Sequence, residues 1–259
     1  MIQIMKQNRE IVDYLKQYNL IYLNILNYLQ HAPECDVITF GGDFSRGIIV
    51  CQNDMSEFGD YDFGYMLATT DEEFLAAFWE SLPPGEQFFS GAYKPCYEAF
   101  LRVTKAETVW LSPCRNYAYS GEGFEFKDDS DHPHDVLTVD DTMEVNKYYT
   151  YQHETSHLAI RHSIETRDTS CVRIDGELAA WCLIHADDGS MGPFYVKEKY
   201  RRQGLGGVVS GRVMAKMIAK GQVPYAHIVE GNDAPVSMLA KTPFMIHTHD
   251  LVWFGVEKV

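Results

Sequence analysis

A basic, glycine-rich segment in the second half of the chain is the part of the sequence best suited to chemistry. It reads Arg-Arg-Gln-Gly-Leu-Gly-Gly over residues 201–207. The residues before it predict a strand that ends at Val196, and those after it predict a helix from about Leu205 to Lys220. Glycines let a ligand approach the backbone closely, and a helix start presents unpaired N–H groups and the positive end of the helix dipole. The segment therefore predicts an anion-binding turn, suited to a pyrophosphate.

Two common nucleotide-binding motifs do not fit this segment. A Walker loop needs Lys and then Ser or Thr after its second glycine, but Gly206 is followed by Gly207 and Val208. A dinucleotide-binding turn needs a third glycine at the position of Val209. A plain tight turn between a strand and a helix is the remaining alternative, because glycines favour that as well.

A second motif, His153-Glu154-Thr155-Ser156-His157, has the His-Glu-x-x-His spacing of zinc peptidases. Zinc binding of that kind requires both histidines on one face of a helix. Thr155 and Ser156 are typical of a helix cap, so we expect His153 to lie outside the helix that contains His157. We therefore predict no metal site, and a zinc peptidase stays only as a distant alternative function.

The second half predicts a regular succession of elements that would position the glycine-rich segment. Asp175-Gly176 is typical of a tight hairpin turn. Leu205, Val209, Val213 and Met217 recur every four residues and predict a helix with one buried stripe. The other expected elements are helices over residues 140–149 and 156–167 and strands over residues 169–174, 178–185, 191–196 and 225–229.

The first half predicts an α/β arrangement without a recognisable motif. Apolar residues at spacings of three and four predict a helix over about residues 4–30. Strands are expected over residues 37–40, 47–51 and 62–67, and a helix is expected after Asp71. Residues 121–133 are polar and are interpreted as a linker or exposed excursion. We therefore place the domain boundary near residue 130, between domains 1–130 and 131–259.

Composition limits the classes of function. The 259-residue chain has a formal net charge of −15, which argues against a general nucleic-acid binder, because phosphate contacts need a basic surface. No apolar run approaches the roughly 20 residues that span a membrane, and the N-terminus has no signal-peptide pattern. The six cysteines are widely spaced and none is in a CxxC pair, as is typical of free thiols in a reducing compartment. We expect a cytoplasmic protein with neither nucleic-acid nor membrane partners.

The segment from Phe194 through Gly206 resembles the signature of the GNAT acyltransferase superfamily: a strand, then Arg/Gln-x-x-Gly-x-Gly/Ala, then a helix. The order of elements over about residues 140–259 is similar too. The resemblance implies an α/β (α+β) fold, with a GNAT-like mixed sheet flanked by helices in the C-terminal half. By the same analogy, the N-terminal α/β domain is a degenerate second copy of this fold. The glycine N-acyltransferase-like branch is the one most resembled, through Gly176–Trp181, Val229–Asn232 and Phe244.

The resemblance implies an N-acyltransferase that moves an acetyl or other acyl group from acyl-CoA, its co-substrate, to a primary amine of a small molecule or amino acid. Backbone groups along the strand would pair with the pantetheine arm, and the glycine-rich turn would hold the pyrophosphate. The implied cofactor-binding residues are Phe194, Tyr195, Val196, Arg201, Arg202, Gln203, Gly204, Leu205, Gly206, Gly207 and Asn232.

Two positions depart from the family pattern and affect the catalytic assignment. Leu239 stands where superfamily members often carry a Tyr as general acid, and Ser190 stands where the glycine acyltransferases carry a Glu as general base. A catalytically silent acyl-CoA-binding protein is therefore the alternative. The candidate catalytic residues are Glu230 as the base and Ser237 as the proton donor to the thiolate, followed by His185, Asp187, Asp188 and His227.

Overall fold

The computed structural model describes residues 1–53, 61, 63–128, 130–239 and 242–259. Two residues for which the sequence made predictions, Asp62 in a strand and Asp129 in the linker, lie outside this range. The chain forms two compact units. Unit 1 contains Met1–Tyr117, His227–Lys241 and His247–Val259, and unit 2 contains Ala118–Ala226 and Thr242–Ile246. The domain boundary near residue 130 stays a prediction.

The described residues form eleven strands and eight α-helices. The strands are β1 (Ile2–Lys6), β2 (Asp36–Phe40), β3 (Ile48–Asn53), β4 (Phe63–Ala68), β5 (Gly85–Tyr93), β6 (Glu107–Tyr119), β7 (Thr169–Ile174), β8 (Glu177–Ile184), β9 (Met191–Val196), β10 (Tyr225–Val229) and β11 (Met245–Lys258). The helices are α1 (Arg9–Lys16), α2 (Leu23–His31), α3 (Glu72–Ser81), α4 (Lys94–Thr104), α5 (Thr142–Lys147), α6 (Ser156–Thr166), α7 (Leu205–Ala219) and α8 (Asp233–Leu239). Among them, no helix is both long and apolar enough to cross a membrane.

A mixed eight-stranded sheet in the order β1-β2-β3-β4-β5-β11-β6-β10 is the core of unit 1. Because side chains alternate along a strand, β3 places Ile48 and Val50 on one face and Ile49 on the other. The first face packs against α1 and α2, and the second packs against α3 and α4. Buried aromatic rings fill the second face, with Phe89 stacked on Phe254 at 4.6 Å between centroids.

The predicted helix over residues 4–30 is wrong as a single element. Residues 2–6 form β1, which pairs antiparallel with β2, and two separate helices follow it. Asn8 starts α1 by accepting a hydrogen bond from the Ile11 N–H at 3.1 Å, and Asn19 has a left-handed φ of +51° beyond its end. The apolar spacing continues across both helices because each of them buries one side against the same sheet face.

The two halves of the chain repeat one order of elements: β4-α3-β5-α4-β6 in the first half and β9-α7-β10-α8-β11 in the second. The strands that end the two halves lie side by side, because β11 is inserted between β5 and β6. The N-terminal half is thus an α/β arrangement that repeats the element order of the C-terminal one, as the family resemblance implies.

A three-stranded antiparallel sheet, β7-β8-β9, is the core of unit 2. Asp175 and Gly176 both have positive φ, at 51° and 80°, and form the predicted tight hairpin between β7 and β8. One face of the sheet packs against α7 through its buried stripe, and the other packs against α5 and α6 around Trp181. The predicted elements of this half are therefore confirmed to within a few residues.

The predicted linker over residues 121–133 forms neither helix nor strand in its described part, but it is not a free excursion. Arg212 of α7 is 3% exposed and binds the Asp128 carboxylate at 2.7 Å and the backbone oxygens of His132 and Pro133. The Phe126 ring lies against Gly211, where an added Cβ would be 2.4 Å from the ring. Most of its described residues are exposed, as the polar composition indicated, and the segment is held because a buried guanidinium requires these oxygens as partners.

Candidate cofactor site

The start of α7 leaves backbone N–H groups unused by the helix. Gly204 is its N-cap, with φ of +79°, and it supplies no side-chain cap. The Val208 N–H donates to the Gly204 oxygen at 3.2 Å, so the earlier N–H groups of the first turn, at Leu205 to Gly207, precede the first helical hydrogen bond. The first turn contains no acidic residue. This helix start is therefore able to bind an anion through its backbone.

The equivalent helix of the N-terminal half has the opposite character. Asp71 caps α3 by accepting from the Phe74 N–H at 2.8 Å, and Glu72 and Glu73 occupy its first turn. Arg46 binds Asp71 at 2.7 Å and also pairs with Glu73. Carboxylates already cover this helix start, so of these two described helix starts the one of α7 is better suited to bind an anion.

The strand β9 precedes the start of α7, residues 204–207, which we call the cradle, and no strand among the described residues pairs with its outer edge. It is the outer strand of its sheet, and the Lys197 N–H just beyond it donates to the Ala179 oxygen of β8 at 3.0 Å. Hydrogen-bonding residues alternate along an antiparallel ladder, so the backbone groups of Phe194 and Val196 point away from β8. An extended ligand can therefore pair with this edge as an added strand.

In the described sheets, β9 and β10 belong to different ladders. The equivalent strands of the N-terminal half, β4 and β5, are paired in parallel at Gly64↔Phe88 and Tyr65↔Phe89. The N-terminal copy thus lacks both the open strand edge and the free helix start.

Arg201 connects the end of β9 to the cradle. Its Nε donates to the Val196 oxygen at 3.1 Å, its guanidinium lies 5.6 Å from the centre of the Tyr195 ring, and Glu198 is 3.6 Å away. Arg202 is exposed and has a left-handed φ of +63°. Two guanidinium groups therefore lie next to the first N–H groups of α7: that of Arg201, which is held by its hydrogen bond to Val196, and that of Arg202, which is exposed to solvent.

Glu177 at the start of β8 fixes the segment that leads to the cradle. Its carboxylate accepts hydrogen bonds from Lys197 at 3.2 Å, from Tyr200 at 3.0 Å and from Lys199. Lys199, Lys197 and Tyr200 together lower the pKa of Glu177 to about 2. Lys197 is nearly buried and also pairs with Glu144 of α5. We did not predict this anchor, although the alternating charges of residues 197–199 are a signal of it.

The predicted site residues divide between the two units. Those of β9 and residues 201–207 are adjacent in unit 2. Asn232, Glu230 and Ser237 belong to unit 1, and all three are exposed. Asn232 donates its N–H to the Val229 oxygen at 3.1 Å. The roles of these three residues stay predictions.

The His-Glu-x-x-His motif does not lie on a helix. His153 precedes α6, which begins at Ser156, and the Ser156 hydroxyl accepts from the His153 N–H at 3.1 Å. His157 is in the first turn, with its Nδ1 at 3.1 Å from the Glu154 oxygen. The two imidazoles therefore do not share a helical face, as the capping residues predict.

Comparisons with known proteins agree with this architecture. Residues 171–253 match the family model of FR47-like proteins. A Drosophila protein of known structure is 16% identical, covers 98% of both chains and has a TM-score of 0.71. A GNAT-family acetyltransferase from Colwellia psychrerythraea is 13% identical over the whole of both chains, with a TM-score of 0.53.

A tandem GNAT protein from the clavulanic acid biosynthesis pathway is similar as well. It is 12% identical, with 99% of this chain and 98% of that one covered and a TM-score of 0.53. No curated protein matches the sequence. At these identities the likeness establishes the fold, which is the GNAT fold, including its tandem form.

Proposed function

We propose that this chain, which has the fold of the GNAT acetyltransferases, is an acyl-CoA-dependent N-acyltransferase. The observation that carries the proposal is the uncapped, acid-free start of α7 beside the free edge of β9. An anion site that directly follows a strand with an unpaired edge suits a ligand that has a pyrophosphate and an extended arm containing amides. Acyl-CoA is such a ligand.

In this proposal, the N–H groups of residues 205–207 bind the pyrophosphate, while Arg201, Arg202 and Gln203 add donors at its rim. The backbone groups of Phe194 and Val196 pair with the amides of the pantetheine arm, and Asn232 contacts the arm as well. No metal is required, because backbone dipoles and guanidinium groups supply the positive potential.

The reaction joins the acyl carbon to an amine nitrogen. A neutral amine attacks the thioester carbonyl, the carbon–sulfur bond breaks, and the sulfur leaves with the electron pair as the CoA thiolate. One proton must leave the nitrogen and one must reach the sulfur. The acceptor is a small-molecule amine or an amino acid, and the cytoplasm is the proposed location. Glu230 and Ser237 are the sequence-based candidates for the two proton transfers, with the glycine N-acyltransferase-like branch as the proposed relative.

A release assay for CoA thiol tests the proposal. Purified protein is incubated with acetyl-CoA or a longer acyl-CoA and a panel of amines and amino acids, and CoA binding is measured by calorimetry. We expect micromolar CoA binding and thiol release that depends on the amine. Binding without release for any pair would favour the silent acyl-CoA-binding alternative, and absence of binding would refute both.

A further inference from the structure

The turn between β8 and β9 holds a histidine in a fixed position. His185 donates its backbone N–H to the Ser190 oxygen at 2.9 Å, and its own oxygen accepts from the Gly189 N–H at 3.0 Å. The Asp188 carboxylate accepts from the Ser190 N–H at 2.8 Å, and both residues are almost fully buried. This closed turn places His185 directly across from Ser190.

The ladder between β8 and β9 is interrupted next to this histidine. Cys182 pairs with Phe194 and Ile184 pairs with Met191, so two residues of β9 face one residue of β8. One of the two is Gly192, and a side chain there would meet His185 Nε2 at 2.8 Å. The imidazole therefore occupies the space beside the β9 backbone that a side chain at Gly192 would fill.

The direction of the bound arm brings its reactive end to this place. The argument rests on the proposed function, in which the pyrophosphate lies at the start of α7 and the arm runs back along β9. An arm that pairs first with Val196 and then with Phe194 points its thioester towards Gly192. His185 Nε2 would then lie beside the end of β9 that the thioester reaches.

We propose that His185 is the general base of the acyl transfer. Its neutral Nε2 accepts the proton that the amine nitrogen loses as the nitrogen–carbon bond forms and the carbon–sulfur bond breaks. The thiolate takes that proton from the imidazolium, directly or through a water molecule, which restores the neutral ring and yields free CoA thiol. This role replaces the Glu that is absent at Ser190, because His185 faces that position across the hairpin.

Among the described residues, titratable groups near His185 include those of its own turn and Tyr225, whose hydroxyl donates to the Asp188 oxygen. Asp187 and Asp188 belong to the same turn, and Arg167 donates to the Ala186 oxygen. Tyr149, which precedes α6, has its ring 6.4 Å from the imidazole between centroids. Burial, with Asp187 nearby, raises the pKa of Tyr149 well above its usual value, so this phenol stays neutral.

Three variants test the proposal with the full chain: His185→Gln, His185→Ala and, as the matched control, His153→Gln on the exposed segment before α6. We expect His185→Gln to lower kcat about 100-fold or more, with the Kd for CoA changed less than about twofold. The control variant should retain parental kcat.

Imidazole added to His185→Ala should restore part of kcat, which a merely structural role would not allow. Parental kcat in His185→Gln would overturn the assignment while leaving the acyltransferase function intact. Unrescued loss of CoA binding in both His185 variants would also overturn it. A parent chain that releases no CoA thiol would refute the proposed function itself.

Discussion

Replacing Gly206 by Val separates ligand binding from folding at the start of α7. Gly206 is the second residue of the helix and has a helical backbone, whereas Gly204 before it has φ of +79°. A Cβ at residue 206 therefore causes no strain of the left-handed kind. It does place branched carbon atoms beside the N–H groups that we assign to the pyrophosphate.

The expected effect on CoA affinity is large. A hydrogen bond to a charged group contributes about 1.5–3 kcal/mol. If the valine side chain displaces the pyrophosphate from two of the N–H groups, the loss is about 3–6 kcal/mol, which corresponds to roughly a 100- to 10,000-fold higher Kd. The stability of the free protein should change by less than about 1 kcal/mol, because valine has a somewhat higher helix propensity than glycine.

Calorimetric titration with CoA and thermal unfolding without ligand measure the two quantities. Gly206→Ala is the graded control, and we expect its Kd to lie between those of the parent and the valine variant. Gly204→Ala is the opposite control, because an alanine at φ of +79° costs about 1–2 kcal/mol of stability even though the space around it is open. A Gly206→Val protein that binds CoA as tightly as the parent would refute the phosphate-cradle assignment.

Three further predictions concern other contacts. The stabilising contribution of Glu177 is present above its unfolded pKa of about 4.5 and is lost as the pH falls towards about 2. In Glu177→Gln, stability measured by circular dichroism should therefore depend less on pH over that range. The same variant should raise the KM for acyl-CoA several-fold. Asp128→Asn should lower the free energy of unfolding in urea by about 2 kcal/mol, because it removes the charged partner of the buried Arg212; a change under 0.5 kcal/mol would contradict this. Added zinc should change the melting temperature of the parent no more than that of the double variant His153→Ala/His157→Ala. A rise in the parent alone would support zinc binding at these two histidines.

Local patterns in the sequence were sufficient to predict the elements around the cradle. The stripe of Leu205, Val209, Val213 and Met217 is buried as predicted, and the glycines before it mark where α7 begins. These features depend on residues within a few positions of one another. The capping pattern at Ser156 was sufficient for the same reason.

Contacts between residues far apart in sequence could not be predicted. Arg212 has its partners in a segment more than seventy residues earlier, and nothing in its own helix indicates that it is buried. The position of β11 in the sheet could not be predicted either, because an alternating pattern indicates which face of a strand is buried but not which strand lies beside it. The break between α1 and α2 was missed because Asn19 is a weaker stop signal than glycine or proline.

The insertion of β11 between β5 and β6 has a consequence for synthesis on the ribosome. Leu251 and Val252 pair with Tyr93 and Ala92, so a strand synthesised after β1 to β10 fills a gap in the sheet begun by the first half. Until it arrives, β5 and β6 each have an unpaired inner edge, which is a template for association with other chains. A nascent chain stalled before residue 245 should therefore depend on chaperones, and nucleation of the complete sheet should be slow because its pairings are so distant in sequence.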